Sequence, residues 1–218
     1  MAIAFDMDGV LIDSQPLHYE IDIATLKTCG YPATIETVTP YTGLSSHDRW
    51  PRYKQALNIS QSAEHLINLQ NKIQEEIFAK TDLTPIDGIP DLLGFLKNMQ
   101  LPCAVVSSSS HNLINTVLTR CGIQQYFTHI VSGEDVKNGK PAPDIYLKAA
   151  KAFDLPPTSC IAIEDSPMGI LSAKNAGFTC IAYINPNTYG QDFTYADHVV
   201  SHYSQCHDII ANIKRSQV

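Results

Sequence analysis

Six short, uninterrupted apolar runs recur along the chain, at Ile3–Phe5, Cys103–Val106, His129–Val131, Cys160–Ile163, Cys180–Ile184 and His198–Val200. Each has the length of a strand, and none shows the apolar/polar alternation of a strand with one wet face. Strands of this kind belong in a parallel sheet covered on both sides. The segments between the later runs read as the covering helices. Leu113, Ile114, Val117, Leu118 and Cys121 fall at helical spacing and stop at Gly122, a residue suited to the position after a helix. Tyr146, Ala149, Ala150 and Phe153 form a second stripe, closed by Pro156-Pro157, and Ser166–Ala176 forms a third, ended by Gly177. The expected fold class is α/β, an open sheet with strand and helix alternating.

One stretch breaks the alternation. From Pro16 to Asp82 only helical patterns appear, such as Leu66, Leu69, Ile73 and Ile77, and Pro85, Gly88 and Pro90 punctuate its end. The simplest arrangement is a core made of residues 1–14 and 83–218 with a helical insert at 15–82. A chain of 218 residues has room for a core and a smaller appended unit. With 44% hydrophobic residues it can bury a proper core, which excludes wholesale disorder.

Charge narrows the partners. Twenty-two acidic residues against 15 basic ones give a formal net charge of −7, so nucleic acid is excluded as an expected partner. A small anionic substrate is still compatible, because one cleft can be locally positive on an acidic protein. No run approaches the roughly 18 apolar residues of a membrane span, and the acidic Asp6 follows a start without a basic leader. Six cysteines are scattered without a CxxC pair and read as reduced packing thiols. The expectation is a cytoplasmic protein without membrane partners, by default a monomer.

The chemistry concentrates where strands end. In FDMDGVLIDS, Phe5 to Ser14, an apolar strand runs into Asp6 and Asp8, two carboxylates two residues apart, and then Gly9. Residues i and i+2 of a strand share a face, so both acids would start on one side at the carboxyl end of the sheet, where open α/β folds bind ligands. One carboxylate can attack phosphorus while the other moves protons; an acidic turn with Asp8-Gly9 as its signal is the plainer alternative. Ser107–Ser110 follows a strand and precedes a helix, and so offers either a phosphate cradle or an ordinary helix cap. Lys140 lies in NGKPAPD, where a glycine and two prolines define a loop; a solvated turn lysine is the alternative. Glu164 and Asp165 follow another apolar run and precede a helix, as oxygen ligands for Mg²⁺ or as caps.

The combination of Asp-x-Asp, a serine loop, a lysine and an acidic pair, all at strand ends, resembles the haloacid dehalogenase-like superfamily. FDMDGVLIDS, GKPAPDIYL and IEDSPMGI carry the resemblance, which spans essentially the whole chain and is nearest the β-phosphoglucomutase and sugar-phosphatase branch with a helical cap. The resemblance implies a Rossmann-like core and a mobile cap. It casts Asp6 as the phosphoryl-accepting nucleophile, Asp8 as general acid/base, and Lys140 as the cation that neutralises nucleophile and phosphate. Ser108, with Ser109 beside it, takes the phosphate-binding place. Asp6, Asp8 through its backbone carbonyl, Glu164 and Asp165 form the Mg²⁺ site. Asp8 favours phosphoryl chemistry over dehalogenation, which needs no acid/base two residues after its nucleophile.

The resemblance leaves the acceptor, water or a second sugar hydroxyl, to the cap. Mutases of this branch carry a lysine before the glycine of the cap's substrate loop and an arginine shortly after. Here TGLSSHD places Thr42 before Gly43, and Ser46 at the arginine position. His18 does match a mutase histidine, and reads equally as an exposed helix residue. Two departures against one match favour a phosphatase of small phosphorylated metabolites, with a phosphosugar mutase as runner-up. Tyr41, Thr42, His47, Arg49, Arg52 and Lys54 are the candidate specificity residues of the cap. A phosphate-sensing module without turnover is disfavoured, because receiver domains place their acidic pair before the phospho-acceptor, whereas Glu164-Asp165 come last.

Overall fold

A computed structural model describes residues 1–41, 46–187 and 190–216. In chain order the elements are β1 (Ala2–Phe5), α1 (Gln15–Thr28), α2 (Ile35–Val38), α3 (Ser46–Leu57), α4 (Ala63–Lys80), α5 (Ile89–Asn98), β2 (Cys103–Ser107), α6 (His111–Arg120), β3 (His129–Ser132), α7 (Asp144–Ala152), β4 (Cys160–Glu164), α8 (Pro167–Ala176), β5 (Thr179–Tyr183), β6 (His198–Val200) and α9 (Ser204–Ser216). All six apolar runs are strands. They form one parallel sheet in the order β3-β2-β1-β4-β5-β6, so the fold is α/β with a Rossmann-like core.

The order has a consequence for the site. The chain builds outward from β1 through β2 to β3, then returns and builds the other way through β4 to β6. The reversal falls at β1, where the crossovers leave a crevice beyond the strand ends. Register brings Phe5 level with Val105 on one side and Ile163 on the other. The residues that follow β1, β2 and β4 therefore emerge side by side.

All four residues of β1 are buried, as expected for a strand with both faces covered. Ala2 and Ala4 face one way, into a cluster with Ala162, Ala182, Ile145, Tyr146, Ala149, Ile170, Ala173 and Phe178. The many alanines on this face let α7 and α8 lie close against the strands. Tyr146 and Phe178 meet edge to face in that layer, their ring centroids 5.2 Å apart. Gly177, with φ +90°, ends α8 in the left-handed conformation that a side chain resists.

The chain divides into two compact units, Met1–Asp13 with Leu83–Val218, and Ser14–Asp82. The described residues of the second unit are helical or irregular. Its core joins Leu26, Val38, Trp50, Tyr53 and Leu66, and the Trp50 indole N–H is satisfied by Gln70 Oε1. A buried ion pair crosses it. Arg49 Nε lies 2.8 Å from Asp22 Oδ2, and Asp22 accepts hydrogen bonds from Arg49 Nη2 at 3.3 Å and the Tyr53 hydroxyl at 2.9 Å. No helix of the described residues is long and apolar enough to cross a membrane. The six cysteines carry free thiols.

Candidate active site

The chain leaves β1 at Phe5, and Asp6 is the first residue beyond it, its N–H still bonded to Ile163 O of β4 at 3.0 Å. Asp8 is therefore placed by a loop and not by the pleat of a strand. That loop is tightly folded. Met7 O accepts from the N–H groups of Leu11 and Ile12, Gly9 N–H bonds Ile12 O at 2.8 Å, and Ile86 N–H bonds Leu11 O at 2.9 Å. The Tyr203 hydroxyl bonds Val10 O at 2.6 Å. Gly9 has φ +79°, and a Cβ there would lie 2.1 Å from Asp165 Oδ2. Only glycine gives both the left-handed turn and the close approach of this loop to Asp165.

Lys140 comes from the loop before α7. Its Nζ lies 2.6 Å from Asp6 Oδ1 and 2.6 Å from Glu164 Oε1, with Val106 O at 3.3 Å. The lysine side chain is 8% exposed and Glu164 is wholly buried, so this is a dry ion triad and not a solvated turn. Burial works to lower the Lys140 ammonium, but Asp6 and Glu164 overcome it and hold the lysine above its ordinary value. Burial raises the Asp6 carboxyl well above the ordinary range; Lys140 opposes the rise, and Glu164, Asp8 and Asp165 add to it. Glu164 is anchored at both oxygens. Oε1 also accepts from the Tyr146 hydroxyl at 2.9 Å, while Oε2 accepts from Asp165 N–H, Ser166 N–H and Ser166 Oγ at 3.1–3.3 Å. Ser166 in turn caps α8 by accepting from Gly169 N–H.

Asp6, Glu164 and Asp165 each offer a carboxylate oxygen, and these lie within 4.8 Å of one another. Three buried carboxylates, two of them paired with one ammonium, leave an excess of negative charge, and an all-oxygen donor set is the kind that hard divalent cations take. The residues present fit such a cation.

Ser107 closes β2 and is buried, whereas Ser108 is exposed and Ser109 half-buried. Capping of α6 falls to Ser110, whose hydroxyl accepts from Leu113 N–H at 3.2 Å, so it does not consume Ser108 or Ser109. The Ser109 hydroxyl reaches Asp8 Oδ2 at 3.5 Å, which ties the serine loop to the first acidic loop. Among the insert residues, His18 lies on α1 with its ring 6.5 Å from Phe78. Thr42 and Gly43 lie outside the described residues. Arg49 is committed to Asp22, and Lys54 bonds the carbonyls of Ile59 and Gln61. His47 and Arg52 are exposed.

Several contributors carry no strong sequence signal. Tyr146 reads as one more position of an apolar stripe, although it sits in GKPAPDIYL six residues after Lys140 and its polar tip requires a partner. Ser166 reads only as the start of a helix. Gly169 reads as a helix weakness, yet a Cβ there would fall 1.8 Å from Glu164 Oε1. Gly169→Ala is expected to push Glu164 off Lys140, lowering kcat at least about tenfold and the folding free energy by about 1–3 kcal/mol. Kinetics beside thermal melts check this, and wild-type values for both would contradict the crowding.

A family model for the haloacid dehalogenase-like hydrolases matches residues 3–183. A phosphorylated carbohydrates phosphatase of Thermotoga maritima is 31% identical over 176 residues, covering 81% of each chain. Among solved structures, CbbY of Rhodobacter sphaeroides in complex with phosphate superposes with a TM-score of 0.78 at 25% identity, over 94% of this chain and 95% of that one. A β-phosphoglucomutase of Clostridium difficile superposes equally well, with a TM-score of 0.78 at 25% identity over 99% and 97%. The chain belongs to the haloacid dehalogenase-like hydrolase family.

Proposed function

We propose that this protein is a Mg²⁺-dependent phosphoric monoester hydrolase of small phosphorylated metabolites, sugar phosphates first among them. The observation that carries the reading is the Lys140 bridge. A buried ammonium 2.6 Å from both Asp6 and Glu164, at the switch point of the sheet, fixes a carboxylate and a cation where a phosphoryl group must be met by both. The name of the Thermotoga relative, a phosphatase of phosphorylated carbohydrates, supports the substrate class.

In the first step one Asp6 oxygen attacks phosphorus and the ester P–O bond breaks. Asp8, protonated, gives its proton to the departing alkoxide. In the second step water attacks the phosphorus of the aspartyl phosphate, Asp8 takes the proton, and Asp6 and inorganic phosphate are released. Ser108 and Ser109 hold phosphoryl oxygens, and Lys140 offsets their charge. Mg²⁺, held by Asp6, Glu164, Asp165 and the Asp8 carbonyl, would shield the phosphoryl charge that repels Asp6. Glu164 belongs to the same acidic cluster, and its anchored oxygens suit it to orienting Lys140 and Asp165. On this reading the helical unit is the cap that the family resemblance implies, with His18, Thr42 and Gly43 as its candidate substrate-binding residues.

The test is phosphate release from p-nitrophenyl phosphate and a panel of sugar phosphates. Release that requires Mg²⁺ and stops with EDTA is expected; no release, or release indifferent to EDTA, would contradict the reading. Likeness to a β-phosphoglucomutase keeps the mutase as the competing outcome. Supplied with β-glucose 1-phosphate and a bisphosphate activator, the protein is expected to yield mainly inorganic phosphate. Glucose 6-phosphate appearing faster than phosphate would favour the mutase. Thr42 supports the phosphatase, since it lacks the cation that would hold a second phosphate.

A further inference from the structure

The segment after β5 holds two side-chain amides that each reach one of the acidic loops. Asn185 is 2% exposed, and its Nδ2 donates to Gly9 O at 3.0 Å, a contact across 176 positions of sequence. Its Oδ1 accepts from Asn187 N–H at 2.8 Å, which fixes the amide so that its donor faces Gly9. Gln191 Nε2 donates to Asp165 O at 3.2 Å and reaches Tyr183 O at 3.5 Å. One amide thus grips the Gly9–Val10 peptide, and the other grips the Asp165–Ser166 peptide. The two gripped segments touch each other, because the space a Gly9 Cβ would fill is the Asp165 carboxylate.

We infer that Asn185 and Gln191 are positioning residues which set the Asp8–Gly9 turn against Asp165, and thereby the cation affinity of the acidic cluster. The inference rests on the metal reading given above. Neither amide reaches the reacting atoms, so each acts through the residue it holds. Loss of the Asn185 amide leaves the buried Gly9 carbonyl without its donor, and the turn shifts to find another. A shift of that turn moves Asp8 and Asp165 apart, which is felt first by a cation that needs both. Groups that orient metal ligands are typically worth on the order of 10- to 100-fold in metal affinity.

The experiment is calorimetric titration of substrate-free protein with Mg²⁺, beside metal-free thermal melts and kcat at saturating Mg²⁺. Asn185→Ala is expected to weaken Mg²⁺ binding on the order of 10-fold or more. Gln191→Ala, on a less buried side chain, is expected to weaken it severalfold and is the variant to read if Asn185→Ala does not fold. Asn187→Ala is the control, since that side chain lies in the same segment as Asn185 and Gln191 but bonds Asp13 Oδ2 and neither the Gly9 nor the Asp165 carbonyl; its Mg²⁺ affinity is expected to match wild type. A fall in melting temperature with wild-type Mg²⁺ affinity in both variants would make the amides purely structural and overturn the inference. Equal weakening in Asn187→Ala would overturn it as well, because general loosening of the segment would then explain the loss. A wild-type protein that takes up no Mg²⁺ would remove the metal reading, and the inference with it.

Discussion

Asp6→Asn is expected to abolish turnover by on the order of 10⁴- to 10⁶-fold while leaving the fold intact. The substitution keeps the volume and an oxygen that accepts from Lys140 Nζ, which lies 2.6 Å from Asp6 Oδ1. It removes the oxygen proposed as the nucleophile and one carboxylate of the acidic cluster together. Stability moves little, because burial and three acidic neighbours already penalise the charged form of Asp6, and the amide relieves that repulsion. Steady-state kinetics and thermal melts on the purified variant decide it. More than a tenth of wild-type activity would contradict the role given to Asp6.

Lys140→Ala is the second large effect, and it is expected to strike both activity and stability. The ammonium is the shared counter-charge of two buried carboxylates, and its removal leaves both unpaired in a dry site. Breaking such a triad by deleting one partner costs about 3–5 kcal/mol. Loss of one preorganised charge at the transferring group costs on the order of 10²- to 10³-fold in kcat. Asp165→Ala separates this from metal binding. That variant is expected to recover part of its activity as Mg²⁺ is raised, whereas Lys140→Ala is not, since Mg²⁺ bound by the acidic cluster does not take the place of the ammonium held at Asp6 Oδ1 and Glu164 Oε1. Equal rescue of both by Mg²⁺ would show that the two roles are drawn wrongly.

How much of this was legible in the sequence depends on range. The strands were legible because burial on both faces leaves a run such as Ala2–Phe5 no polar positions, and that signal is local. Strand ends marked the site, since Asp6, Ser108 and Asp165 each follow an apolar run and parallel strands emerge together. Two details are set by the fold and not by local pattern. Periodicity places Asp6 and Asp8 on one face of a strand, but β1 stops at Phe5 and a glycine turn sets Asp8 instead. Four adjacent serines look interchangeable, and only the helix start shows that Ser110 is the cap. Tyr146, Asn185 and Gln191 were illegible for another reason. Their partners are Glu164, Gly9 and Asp165, brought close by the sheet order and not by spacing along the chain.

The most direct test of the central claim is chemical trapping of the phosphoryl enzyme. Protein turning over a sugar phosphate is quenched in acid and reduced with borohydride, which converts an acyl phosphate to an alcohol, and its peptides are then sequenced by mass spectrometry. The account predicts homoserine at position 6, dependent on substrate and on Mg²⁺, and unreduced aspartate at positions 8 and 165. Phosphate release under the same conditions with position 6 never reduced, or with the reduced residue at another carboxylate, would contradict it.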